Sequence, residues 1–263
     1  MLMPSQIPIE ALEDARVADY HHLLDPARLV ARGLFVAEGR LVVRQLLSLP
    51  RWQVHSILLT AASAENLGDV LSLTDAPIYV VAQALMNDIA GFNIHRGCLA
   101  LAHRPPALGW PVSLRSRVLV LEGVNNPDNV GGLFRTAAAF GVDVVVLGPS
   151  CGDPLYRKAI RTSMAATLVV PFVAAPQWPG AVADLKADGF TVAALTPHSD
   201  AVPLRDVARH PKLALMVGAE GDGLSDAALA AATLRVRIPM TTAIDSLNVT
   251  VAASIAMYHC WQE

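Results

Sequence analysis

The chain has 263 residues, 53% of them hydrophobic and 16% charged, enough apolar material for one large domain or two ordinary ones with real cores. That balance excludes a disordered or fibrous protein, and the longest apolar runs fall short of the roughly 20 residues that a membrane-spanning helix needs. A net charge of -3 argues against coating nucleic acid by charge alone, so any nucleic-acid contact has to be local and carried by particular arginines.

The start, Met1 to Glu10, holds Pro4, Pro8 and an acid but not the basic stretch and apolar core of a secretory signal, which makes the cytoplasm the expected location. From Pro26 to Leu49, the residues Leu29, Phe35, Val36, Leu41, Val42 and Leu46 recur at helical spacing around Gly33 and Gly39. Arg28, Arg32, Arg40 and Arg44 follow the same spacing. They read either as a track for a nucleic-acid backbone or as a salt-bridged face with Glu38. Strand-forming pieces follow at Val54 to Leu59, Ile78 to Val81 and Cys98 to Ala102, mixed with helical stretches at Ala64 to Leu73 and Gln83 to Ile89. Together they describe a compact α/β module of typical domain size.

Arg104-Pro105-Pro106, Gly109 and Pro111 have the stiff, irregular composition of a linker. The expected division is residues 1–105, a linker at 106–116, and a larger part at 117–263. In that part strands and helices alternate: Arg117 to Leu121, Asn129 to Phe140, Val142 to Leu147, a strand near Thr167 to Val173, a helix near Gly180 to Lys186, and strands at Thr191 to Leu195 and Leu213 to Val217. Continuous apolar strands separated by helices predict a mainly parallel sheet covered on both faces. Cys98, Cys151 and Cys260 stand far apart with no metal-ligand spacing, so neither a zinc site nor a disulfide framework is expected.

Three segments in this second part could carry chemistry. In the first, Leu121 to Ala137, polar Asn and Asp residues precede a helix on which Arg135 can clamp a phosphate. Equally, Asp128 or Asn129 caps that helix while Arg135 pairs with a surface acid. In the second, Leu215 to Ser225, an apolar strand runs into a turn with Gly218, Gly221 and Gly223, which lets backbone groups reach a ligand. Ser225 as a plain helix cap is the alternative. The GxGxxG pattern and the Walker lysine are both absent, which weakens dinucleotide and nucleoside-triphosphate readings. In the third, Val236 to Ala253, the residues Asp245, Ser246 and Asn248 offer donors and acceptors beside Ile238 and Leu247, although Ser246 is also an ordinary cap.

Taken together, Asn-Pro-Asp-Asn-Val-Gly-Gly-Leu-Phe-Arg-Thr-Ala from Asn126, Val-Gly-Ala-Glu-Gly-Asp-Gly-Leu from Val217 and Ile-Pro-Met-Thr-Thr-Ala-Ile-Asp-Ser-Leu-Asn-Val from Ile238 resemble, in order and spacing, the three signature motifs of the SpoU/TrmH methyltransferases. The likeness spans residues 117–263. Cys151 to Met164 is also similar to the family, with Ala165 standing where relatives usually carry glycine. The resemblance implies an α/β fold of the SPOUT type, a mainly parallel C-terminal sheet with a deep trefoil knot, preceded by a smaller α/β domain like RNA-binding ribosomal proteins. It implies a homodimer, S-adenosylmethionine as cofactor and no metal.

The implied reaction is methylation of a ribose 2′-hydroxyl in RNA. Ribosomal RNA is favoured over transfer RNA because of the separate N-terminal module, and a noncatalytic RNA-binding protein that retains the fold is the alternative from another class. By the motif match the catalytic group is Arg135, Asn129, Glu220, Ser246 and Asn248. The cofactor is expected at Gly218, Ile238, Leu247, Met240 and Glu220, and RNA at Arg135, Arg157, Lys158, Arg161, Arg32 and Arg40.

Overall fold

The computed structural model describes residues 5–21, 23, 25–110, 116–241 and 246–261. Two compact units form: Met1–Pro106 with Leu155–Leu168, and Ala107–Pro154 with Val169–Glu263.

The first unit contains β1 (Gln6–Ile9), α1 (Pro26–Ala31), β2 (Leu34–Glu38), α2 (Arg40–Leu47), β3 (Val54–Leu59), α3 (Ala61–Leu71), β4 (Ile78–Val81), α4 (Gln83–Ala90) and β5 (Cys98–His103). Its sheet runs β1-β4-β3-β5-β2, with β4 parallel to both neighbours and β5 antiparallel to β3 and β2. The helical spacing over Pro26 to Leu49 misses β2. Leu34, Phe35, Val36 and Ala37 are all buried, and four consecutive buried residues suit a strand covered on both faces. Gly33 and Gly39, both at positive φ, punctuate that strand. Consequently Arg28 and Arg32 lie at α1 and its end, and Arg40 and Arg44 on α2, not on one helix.

The second unit begins with β6 (Arg117–Leu121), α5 (Pro127–Ala139) and β7 (Val144–Leu147). Next come α6 (Arg157–Thr162), which groups with the first unit, and α7 (Ala166–Val169). The chain continues through β8 (Phe172–Ala174), α8 (Gly180–Ala187), β9 (Thr191–Leu195), β10 (Val202–Pro203), β11 (Leu213–Val217), α9 (Asp226–Ala231), β12 (Leu234–Arg237) and α10 (Val249–Trp261). The strand expected over Thr167 to Val173 is instead a helical turn followed by β8. Thr167 turns inward to bond its backbone N–H to Ser163 Oγ at 3.3 Å, and such local side-chain bonds compete with a ladder.

All pairs in the order β10-β12-β9-β11-β6-β7-β8 are parallel. Val118 and Val120 on one face join Val182 and Leu185 of α8 and Leu229 of α9 in a single core. On α5 the cap is Asn126, whose Oδ1 accepts from Asp128 N–H at 2.9 Å, with Pro127 pre-set at the first helical position. Asp128 and Asn129 therefore do not cap it. Gly132 lets α10 approach closely, because a Cβ there would lie 2.8 Å from Thr250 Cγ2, and one turn on Thr136 and Ser254 share a 3.0 Å hydrogen bond. No helix among the described residues is long and apolar enough to cross a membrane.

Candidate active site

Register brings the ends of four parallel strands into a row. Val217 of β11 stands beside Leu121 of β6, Met216 beside Ala194 of β9, and Leu195 beside Val236 of β12. Ligands in open α/β sheets bind beyond such carboxyl ends. Here the segments that follow β9, β11 and β12, with the approach to α10, enclose a cavity of about 480 Å³.

The turn after β11 forms one wall and needs its glycines. A Cβ on Gly218 would fall 2.2 Å from the carbonyl carbon of Gly223, while Gly221 and Gly223 adopt φ of +91° and +71°. Paired 3.1 Å backbone bonds between Ala219 and Gly223 close the turn. Gly218, Glu220, Ile238, Met240 and Leu247 all line the cavity, so every residue expected to bind the cofactor is gathered there.

Three of the expected catalytic residues meet through Asn248. Its Nδ2 donates to Asn129 Oδ1 at 2.9 Å and to Glu220 Oε1 at 2.6 Å. Its Oδ1 accepts from the backbone N–H groups of Thr250 and Val251, which caps α10. The cap belongs to Asn248, not to Ser246. Asn129 is buried and Glu220 is exposed, so one asparagine holds a scaffold residue and an accessible carboxylate in register. Ser246 lines the cavity, whereas Asp245 lies outside the described residues. Arg135 is exposed on α5 with no partner among the described residues, free for a ligand.

The other expected RNA contacts lie in the first unit. Arg157 is paired with Glu38 and lies 4.4 Å over the Phe92 ring, and Arg161 reaches the same carboxylate. Lys158 sits beside Arg157 on α6. Arg32 is engaged by Asp19. Arg40 borders a groove that also holds Arg44 and Arg96.

Sequence reasoning passed over Glu122. Only 7% exposed, it accepts from Trp178 Nε1 at 2.5 Å, Ser225 Oγ at 2.7 Å and Ser225 N–H at 2.9 Å. An acid ending a buried apolar strand was the available signal, because such a group is retained only with donors around it. His198, which also lines the cavity, lay outside the three segments.

The cavity's chemistry narrows its ligand. Glu220 and Asp222 are acidic, and no lysine or arginine lines the cavity among the described residues, which disfavours a phosphate-bearing nucleotide. Apolar Ile238, Met240 and Leu247 with backbone groups of the glycine turn fit an adenosyl group, and the acids fit a cationic sulfonium and amino group. The described residues contain no metal-ligand cluster. Burial pushes the Cys98 thiol up to about 12 and the Cys260 thiol up to about 11, which leaves both inert as nucleophiles at neutral pH.

The profile of the SpoU rRNA Methylase family matches residues 116–258. The chain belongs to the SpoU rRNA Methylase family. Like its family, it is an RNA methyltransferase that uses S-adenosylmethionine. It is 41% identical over 255 residues to an uncharacterised tRNA/rRNA methyltransferase of Mycobacterium bovis, covering 94% of this chain and 88% of that one. Identity to the 23S rRNA (guanosine(2553)-2′-O)-methyltransferase RlmP of Bacillus subtilis is 28% over 251 residues, 95% of this chain and 98% of RlmP. Among solved structures, an rRNA methyltransferase of Sinorhizobium meliloti bound to AdoMet superposes with a TM-score of 0.82 at 21% identity, covering 97% of each chain.

Proposed function

We propose that this chain transfers the methyl group of S-adenosylmethionine to a ribose 2′-hydroxyl of RNA, and that its substrate is ribosomal RNA. The observation that carries the reading is the joining of Asn129, Glu220 and Asn248 at the rim of a phosphate-averse cavity. The near full-length likeness to RlmP, N-terminal part included, favours ribosomal RNA and a role for residues 1–105 as the RNA-binding domain, with 106–116 as linker and 117–263 as the catalytic part. The trefoil knot, the homodimer and the cytoplasm complete the proposal. For the dimer, the exposed apolar stripe Val251, Ile255 and Tyr258 along α10 offers a face for a second copy.

When bound, S-adenosylmethionine supplies an electrophilic methyl on a sulfonium. The chain's own task is to hold the ribose oxygen in line and remove its proton. A guanidinium keeps its proton in proteins, so Arg135 serves as a phosphate clamp and Glu220, steadied by Asn248, accepts the proton. Ile238, Met240 and Leu247 would wall the adenosyl group and Gly218 would meet it through its backbone, while Ser246 would stand with Asn129 and Asn248 among the polar groups around Arg135. On the RNA side, Arg135, Arg157, Lys158, Arg161, Arg32 and Arg40 are the proposed contacts. Arg40 is the best placed in the first unit, since it is exposed and Arg96 borders the same groove.

Calorimetry with S-adenosylhomocysteine, followed by mapping of 2′-O-methyl sites in total RNA from cells with and without the gene, tests the reading. Binding and the loss of one ribosomal site are expected. No binding would overturn the methyltransferase mechanism, and loss of a transfer RNA site would replace the substrate.

A further inference from the structure

We infer that Glu122 is a positioning residue that sets the shape of the methyl-donor cavity by fastening both limbs of the glycine turn to the end of β6. The inference rests on the cavity being the donor site. The first limb is held through the backbone: Glu122 N–H donates to Val217 O at 3.0 Å, and Gly123 lies so close to Ala219 that a Cβ on it would stand 3.2 Å from the Ala219 Cβ. The second limb is held by the side chain, since Glu122 Oε2 accepts from Ser225 N–H and Oε1 from Ser225 Oγ. Between these anchors runs the stretch from Gly218 to Leu224 that walls the cavity.

The choice of a carboxylate follows from the donors around it. Trp178 Nε1, Ser225 N–H and Ser225 O–H all point protons at one buried group, and only an ionised carboxylate accepts at both oxygens while donating nothing. No lysine or arginine pairs with Glu122 among the described residues. The charge is compensated by those hydrogen bonds alone, which are stronger for having an ionised acceptor. An amide in its place would have to turn an NH₂ toward a donor, and one anchor would open. Trp178 is fixed in turn, its ring packed where a Cβ on Gly148 would stand 3.1 Å from it. The same carboxylate thus joins the ends of three chain segments.

Glu122 touches neither the cavity nor the reacting atoms, so its loss should act on donor binding and spare the chemical step. For Glu122→Gln, the dissociation constant of S-adenosylhomocysteine should rise about tenfold. The KM for S-adenosylmethionine should rise in parallel, with kcat at saturation within about twofold of wild type. Ser225→Ala should produce a smaller shift of the same kind; because Ser225 Oγ also caps α9 by accepting from Ala228 N–H at 3.2 Å, its unfolding midpoint is measured beside its affinity. Ser225→Thr, which keeps the hydroxyl, should restore affinity. Should Glu122→Gln fail to fold, Ser225→Ala and Trp178→Phe carry the test. S-adenosylhomocysteine affinity within twofold of wild type in all folded variants, or a fall in kcat with KM unchanged, would overturn the inference. Wild-type protein that binds none of the analogue would overturn the donor site itself, a distinct result.

Discussion

Glu122 and Glu220 stand beyond the ends of two neighbouring strands of one sheet, and their surroundings give them opposite duties. Glu122 is buried, with both oxygens committed to three donors. Glu220 is exposed and receives one bond among the described residues, from Asn248, which leaves lone pairs for a substrate proton. A carboxylate whose acceptor capacity is spent holds structure, and one with capacity to spare can do chemistry.

The contrast is sharpest in activity. Glu220→Gln keeps an acceptor for Asn248 but loses the basic oxygen, so methyl transfer should fall by about 10²- to 10⁴-fold while the unfolding midpoint in urea stays put. A midpoint shift as large as that of a Glu122 variant would erase the distinction. Arg135→Ala, which removes an exposed side chain with no partner among the described residues, should cut transfer by about 10²- to 10³-fold and leave the affinity for S-adenosylhomocysteine intact in calorimetry. Loss of both together would make Arg135 part of the fold.

Stability should show the reverse order. Glu122→Ala strands Trp178 Nε1 and Ser225 N–H in a buried place and should cost about 1–3 kcal/mol in urea denaturation, whereas Glu220→Ala should cost almost nothing by the same measurement. A small gain is expected at Ala165, buried at φ +69°. Glycine would relieve a left-handed strain of about 1–2 kcal/mol but remove a buried methyl worth about 0.8 kcal/mol. A net gain under about 1 kcal/mol is expected for Ala165→Gly, and a clear loss would mean that the methyl's packing dominates.

Much of the second unit was readable from the chain. Thr191–Leu195 and Leu213–Val217 stand as strands where their apolar runs predicted, because a strand buried on both faces needs a continuous apolar sequence. The residues expected around the cofactor line a single cavity because they sit in turns whose glycines and polar side chains stand out locally. Pro26 to Leu49 shows the limit. Its apolar residues fit helical spacing, yet Leu34–Glu38 pairs with β5 as a strand, a decision made by the partner strand, which lies more than sixty residues away.

The sequence alone determined the family, most of the strand–helix alternation of residues 117–263 and the residues that carry the three motifs, since motif composition and hydrophobic period are local properties. Tertiary structure decided which of those residues meet. Only the parallel register places Leu121 beside Val217, and only there can Glu122 reach Ser225 across 103 positions of chain. Asn248 likewise finds Asn129 across 119. Hydrogen bonds act over about 3 Å of space whatever the separation in sequence, so the contacts that divide scaffold from chemistry appear only once the sheet has formed.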